Sequence, residues 1–343
     1  MANEPAPKPG RTIRLAIPSS LAQERLDRVL ARMIPALSRS YLKKLAKEGH
    51  CFINGVRANP RDVVDVGDVV ALSLTEDIEP PCRPTEGALD VRFEDEHVLV
   101  VAKPTDLVSH PAKGHHCDTL LNRIVAYLMT EIERGWSRPH LLSRLDRYTS
   151  GLILVAKTPR AQRILQRQMD RRLVRREYLA LVWGRAPRRG VVDEPIGEKR
   201  GDDARMIVTE DGRPARTEFV TTRVFRLRPD QAPDGRQAAV SAMRARLSTG
   251  RTHQVRVHLA SAGHTVLGDD LYGEPELDRP RDPQFATRVA SLGGYALHAG
   301  VLGFVHPITE KPVRLVAAPP GPFLELLRWL HRNDPQSASG GTP

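Results

Sequence analysis

Residues 142–157 read Leu-Ser-Arg-Leu-Asp-Arg-Tyr-Thr-Ser-Gly-Leu-Ile-Leu-Val-Ala-Lys. One carboxylate, Asp146, stands there between Arg144 and Arg147, just ahead of a strongly apolar stretch. Neighbouring cations favour the charged form of an acid, so the spacing predicts a carboxylate anion presented in a turn. Such a group can serve as a nucleophile or as the electrostatic partner of a substrate cation. The same pattern also suits a surface ion-pair cluster, which is common and weak. No second acid stands at a spacing that would identify the acid/base pair of a carboxylate-based hydrolase. Cys51, Cys82 and Cys117 are far apart and odd in number, forming neither a zinc spacing nor a disulfide framework. His115, His116 and Cys117 are adjacent, and adjacent side chains rarely converge on one ion, so a solvated loop is expected there and no metal.

The elements that must position Asp146 follow from periodicity. Short strands are expected at 90–93, 98–102, 151–156, 178–183, 217–226, 241–247 and 266–267, and helices near 119–130, 159–171 and 253–262. Strands outnumber helices and do not alternate with them, which predicts an α+β domain around a mainly antiparallel sheet. Ahead of it, Leu26, Val29, Leu30 and Met33 repeat at helical spacing, with Ser19 or Ser20 as a candidate cap. Ser38 is a candidate cap for a second helix that carries Arg39, Lys43, Lys44 and Lys47 and no acid up to residue 47. Short strands around an Asn54-Gly55 turn complete a small unit. The expected organisation is a flexible tail at 1–18, a small domain at 19–78, a linker at 79–88, a large domain at 89–332 and a second tail at 333–343. The polar, Pro-rich segments 228–237 and 274–284 read as surface insertions.

With 343 residues, two folded units are the natural prior. Lys and Arg number 52 against 41 Asp and Glu, a net charge of +11, which points to a polyanionic partner, nucleic acid first. Aromatics make up only 5%, so a surface paved with stacked rings is not expected. No apolar run approaches a spanning helix and the first ten residues lack the apolar core of a signal peptide, so a cytoplasmic protein without membrane contact is expected. Nothing resembles a coiled coil, and a monomer is the default.

Six blocks of this sequence, in order, resemble the RluA family (RluA/RluD-type) of pseudouridine synthases, from residue 89 to residue 319. They are 93–104, Arg144-Leu145-Asp146-Arg147 with Thr149-Ser150-Gly151-Leu152, 176–182, 249–259, Gly268-Asp269 with Tyr272-Gly273, and Leu297-His298-Ala299 with Phe304 and His306-Pro307. Residues 19–78 resemble the S4 RNA-binding domain through Arg25-Leu26-Asp27, the basic helix and Ile53-Asn54-Gly55. The resemblance implies a cofactor-free isomerisation in which the N1–C1′ bond of a uridine in RNA is broken and a C5–C1′ bond is made. By that resemblance Asp146 is the catalytic carboxylate, and Arg144 fills the space left by the extruded base. Tyr178 stacks on the target ring, and Arg256 pairs with the catalytic aspartate. Arg251 and His253, in the same block as Arg256, contact phosphate or support the fold. The S4-like domain leans toward large-subunit ribosomal RNA as the partner, with transfer RNA as the other substrate.

Two positions depart from the family pattern. Ser143 stands where a histidine commonly precedes the Arg-Leu-Asp triplet, so any role that needs an imidazole there is in doubt. Thr265 stands where a proline usually follows a Gly-His pair. The basic run 160–176 holds seven arginines and one acid, Asp170, which suits contacts to RNA phosphates or a solvated helix face.

Overall fold

The computed structural model describes residues 12–34, 37, 39–74, 84–112, 114–115, 117–133, 138–199, 201–229, 231, 239–273 and 280–335. The chain divides into two units, Met1–Arg83 and Pro84–Pro343.

In the first unit, Leu26, Val29 and Leu30 of helix Leu26–Met33 share a buried core with Tyr41, Leu42 and Leu45 of helix Arg39–Glu48. Each helix turns one apolar stripe inward, as the three- and four-residue spacing requires. That core lies against an antiparallel sheet in the order Thr12–Ala16, Val69–Ser73, Cys51–Ile53, Val56–Arg57. Asn54 and Gly55 both take positive φ, 51° and 84°, the backbone of the tight hairpin turn expected there. Two expectations need correction. Thr12–Ala16, expected within a flexible tail, pairs residue for residue with Val69–Ser73, and Ile13 and Leu15 pack on the core. Ser19 and Ser20 belong to a short 3-10 turn, Ser19–Leu21, and the helix starts later, at Leu26, without a side-chain cap. The candidate cap Ser38 lies outside the described residues, as do 75–78 of the expected small domain and 79–83 of the expected linker.

The second unit is organised by a ten-stranded sheet. Its main path runs Arg189–Asp193, Arg216–Arg226, Ala239–Leu247, Arg175–Trp183, Leu297–Val305, Ser150–Ala156, Val98–Lys103, Asp90–Glu94. Every pairing along it is antiparallel except that of Ser150–Ala156 with Leu297–Val305. The α+β class therefore stands. Pro312–Val316 and His140–Leu141 add to the sheet beside Leu297–Val305 and Ser150–Ala156. Residues 266–267, expected as a strand, make only an isolated bridge from Val266 to Val182. Two tail or loop readings also change. Asp282 caps a helix, Pro283–Ala290, by accepting the Gln284 and Phe285 amides, so this Pro-rich stretch starts a helix. Asn333 ends helix Gly321–Asn333, and Asp334 is buried against Arg223 at 3.4 Å, so the C-terminal segment is ordered past the expected boundary at 332.

Strand Ser150–Ala156 is buried at every residue and leads directly out of the Asp146 turn. Its second residue, Gly151, takes φ +121° and faces Ala299 across the parallel pairing. A Cβ at that point would sit 2.3 Å from the Ala299 carbonyl oxygen, a backbone atom that cannot swing aside. Gly151→Ala should therefore cost about 3 kcal/mol, read as a lower urea midpoint. An unchanged midpoint would mean that the two strands can part at this point without loss.

Candidate active site

Asp146 sits in the turn between His140–Leu141 and Ser150–Ala156, and the chain segment 103–109 ties that turn down. Ser109 accepts the Leu145 amide at 3.0 Å and donates its hydroxyl to the Leu145 carbonyl at 2.6 Å. The Thr105 hydroxyl donates to the Tyr148 carbonyl, and Leu107 N–H donates to the Arg147 carbonyl. Lys103 is fully buried and places its Nζ 2.8 Å from each of three carbonyl oxygens, those of Pro104, Leu107 and Arg147. Three acceptors complement the three N–H bonds of an ammonium. Burial pushes the Lys103 pKa down to about 7, against the opposing pull of Asp146 and Asp106.

The Asp146 side chain is oriented from the other side. Arg256 lies on helix Gln254–Ser261, whose residues from Gln254 to Leu259 are all buried. Its guanidinium forms a two-pronged pair with Asp269, Nε to Oδ2 at 2.7 Å and Nη2 to Oδ1 at 2.8 Å. The remaining Nη1 donates to Asp146 Oδ2 at 3.3 Å. Tyr295 and Tyr272 flank the guanidinium, with ring centroids 4.2 and 4.8 Å away. The Tyr295 hydroxyl donates to Asp146 Oδ2 at 3.2 Å and accepts from Thr149 at 3.3 Å. Burial, then the nearby Asp146 charge, pushes the Tyr295 phenol far up, so it remains a donor. Both bonds to Asp146 end on Oδ2. Its other oxygen, Oδ1, accepts none among the described residues, and the side chain is 24% exposed.

Asp146 lines a cleft of about 870 Å³ together with Arg144, Tyr178, Arg251 and Arg256, the five site residues expected in this unit. His253 and Ser143 line it as well, so the position that departs from the family pattern is on the cleft wall. Tyr178 shares the cleft with Arg176, two residues earlier on strand Arg175–Trp183, as the two-residue alternation of a strand places them on one face. Burial pushes the Tyr178 phenol up, Arg176 draws it back and Asp146 adds to the rise. Gln254 secures the neighbouring loop by accepting from Thr249 Oγ1 and the Arg251 amide, while donating to Arg216 and Thr217. Lys43, Lys44 and Lys47 lie exposed on helix Arg39–Glu48 of the first unit, which also contains Arg39. His115 bonds Asp118 at 2.7 Å, and His116 is outside the described residues.

Sequence reasoning missed Lys103, Asp269, Tyr272 and Tyr295 as parts of the site. The first three lay inside matching blocks without a role, and only their distant partners reveal what they do.

The sequence matches the family described as RNA pseudouridylate synthase over residues 97–261 and the S4 domain over residues 24–70. It is 38% identical to ribosomal large subunit pseudouridine synthase D of Xylella fastidiosa, with 94% of each chain covered. The chain belongs to the RNA pseudouridylate synthase family. It is also 36% identical to the synthase D of Xanthomonas campestris pv. campestris, covering 94% of this chain and 93% of that one. The solved structure of human RNA pseudouridylate synthase domain containing 1 has a TM-score of 0.51 at 25% identity, covering 72% of this chain and 90% of the human one. As a pseudouridine synthase the chain is an isomerase with an RNA substrate. Among the described residues, no helix is long and apolar enough to cross a membrane.

Two consequences of this geometry are measurable. Asp269 is 1% exposed and holds two of the Arg256 contacts, so Asp269→Asn leaves a buried guanidinium short of its main counter-charge. The cost should be about 3 kcal/mol in urea unfolding, with pseudouridine formation falling too. An unaltered midpoint would show that Asp146 alone suffices for Arg256. Lys103 titrates lower in the folded chain than in the unfolded one, so the unfolded state holds the extra proton above pH 7. This group therefore makes stability rise with pH through that window. Between pH 7 and 9, wild type should gain stability relative to Lys103→Met. Parallel pH profiles would refute the depressed lysine.

Proposed function

We propose that this protein converts uridines of large-subunit ribosomal RNA to pseudouridine, with Asp146 as the carboxylate that acts on the nucleoside. The observation that carries the proposal is the division of labour between the two Asp146 oxygens. Oδ2 is occupied by Arg256 and Tyr295, while Oδ1 accepts no hydrogen bond among the described residues, and Asp146 lines the cleft. A carboxylate fixed by one oxygen and open at the other is suited to attack the ribose C1′ or the uracil C6, or to assist proton removal from the sugar. Arg256 acts through Asp146, setting its orientation. Tyr178 on the cleft wall provides the ring against which the target base stacks and a phenol able to exchange a proton at C5. Arg144, exposed two residues before Asp146, fills the space of the extruded base. Arg251 meets backbone phosphate.

The ribosomal substrate is supported by the name of the relatives, large-subunit synthase D, at 36–38% identity over nearly the whole chain. The first unit serves as an RNA-binding domain through Arg39, Lys43, Lys44 and Lys47, and the second unit, from Pro84 onward, as the catalytic domain. The protein works as a monomer in the cytoplasm, where its RNA is found, and needs no cofactor or metal.

Pseudouridine formation must expel the hydrogen at uracil C5, so tritium release from C5-labelled transcripts follows the bond change itself. Wild type should release tritium from large-subunit ribosomal RNA, and Asp146→Asn should release none while its melting temperature moves by about 2 °C or less. Release from transfer RNA alone would overturn the ribosomal assignment. Full release by Asp146→Asn would overturn the role of Asp146.

A further inference from the structure

The wall of the cleft beside Thr249–Gln254 collects cations from three separate pieces of chain. Arg172 follows helix Pro159–Asp170 with φ +60°, which turns the chain away from the helical path. Arg213 is held by its own backbone, which exchanges two hydrogen bonds with Ile196 at 2.8 and 3.0 Å. Arg251 donates Nε to the Pro214 carbonyl at 3.1 Å, a bond that fixes the guanidinium without neutralising it. A fourth, Arg176, donates Nη2 to the Thr249 carbonyl, while its buried Nε–H has no acceptor. All four line the cleft, and none makes an ion pair among the described residues. The neighbouring acid on that wall, Asp170, is bonded by Gln166 at 3.0 Å.

Like charges brought together without counter-charge raise the energy of the folded protein. Arg251 registers it: burial, then Arg213 and Arg172, draw its pKa below the ordinary arginine value. A fold does not gain from such a cluster unless a ligand supplies the missing negative charge. A guanidinium presents a planar fork that matches the paired oxygens of a phosphate. Each phosphodiester carries one negative charge, so four cations are too many for a single phosphate.

We propose that Arg172, Arg176, Arg213 and Arg251 form a seat for consecutive backbone phosphates of the RNA strand that delivers the target uridine to Asp146. This rests on the isomerase reading of the same cleft and adds where the strand is gripped. Phosphate contacts of this kind fix the register of the strand and carry no base information. Specificity for one uridine must then come from elsewhere in the complex.

Neutralising a phosphate releases condensed counterions, so log K falls with log salt by about 0.7 per contact on a single strand. The experiment measures binding of a fluorescent ribosomal RNA transcript from 50 to 300 mM KCl, all proteins carrying Asp146→Asn to prevent turnover. Arg172→Gln, Arg213→Gln and Arg251→Gln should each flatten the slope by about 0.7, and the triple variant by about 2. Arg314→Gln, on strand Pro312–Val316, should leave the slope as it was. A triple variant with the parent slope would overturn the seat, as would equal flattening by Arg314→Gln. Circular dichroism of each variant separates a lost contact from a lost fold. Tritium release by the Asp146 enzyme on the same transcript reports separately on the isomerase reading. A slope that flattens beside absent release would support the seat and overturn the isomerase reading.

Discussion

The second unit depends on one guanidinium held away from water. Arg256 sits among six consecutive buried residues, Gln254 to Leu259, and a cation there is tolerable only with a counter-charge and filled hydrogen-bonding positions. Asp269 supplies the charge in a two-pronged geometry, and two tyrosine rings cover the faces. What remains is Nη1, whose one acceptor is Asp146. The orientation of the exposed carboxylate is thus set by the requirements of a buried cation. That inverts the usual weakness of surface ion pairs, because here one partner has no alternative in solvent.

The main chain of the same turn is held by an independent set of contacts. Lys103 and Ser109 bond backbone groups of residues 145 and 147, so the turn cannot shift without leaving several polar atoms unsatisfied in the interior. Backbone and side chain of Asp146 are therefore fixed from opposite sides, by segments lying roughly forty and more than one hundred residues away in sequence. A reacting group held in advance need not be ordered when substrate arrives, which is how a rigid site lowers a barrier.

The turn before a wholly buried strand was legible from local pattern, but Asp146 stood out from an ordinary surface ion-pair cluster only through the family blocks around it. The basic helix and the Asn54-Gly55 turn were legible for the same reason, each being a short-range pattern. Tyr295 was not, since its role depends on a contact 149 residues distant in sequence that no spacing rule reports. Low aromatic content argued against stacked rings on a binding surface, yet Tyr272 and Tyr295 enclose a protein cation, a use that composition does not reveal. Thr12–Ala16 escaped notice because Pro and Lys dominate the residues before it. Strand Leu297–Val305 showed only as a matching block, because Gly300 and Gly303 weaken its strand pattern and its neighbours on both sides supply the order.

Charge is distributed differently from chemistry in this protein. Asp146 and its supports form a compact, mostly buried set, whereas basic residues crowd helix Arg39–Glu48, the 160–176 run and the cleft wall. The distribution follows from range. Proton and bond exchange at a nucleoside require placement within tenths of an ångström, which only a packed interior provides. Attraction to a phosphate chain acts over about a Debye length, roughly 8 Å at physiological salt, and tolerates exposed, mobile cations. Exposed lysines are therefore suited to attract a polyanion without exact geometry. Arginines anchored by backbone bonds, such as Arg213 and Arg251, are instead suited to the proposed role of setting where a strand lies against Asp146.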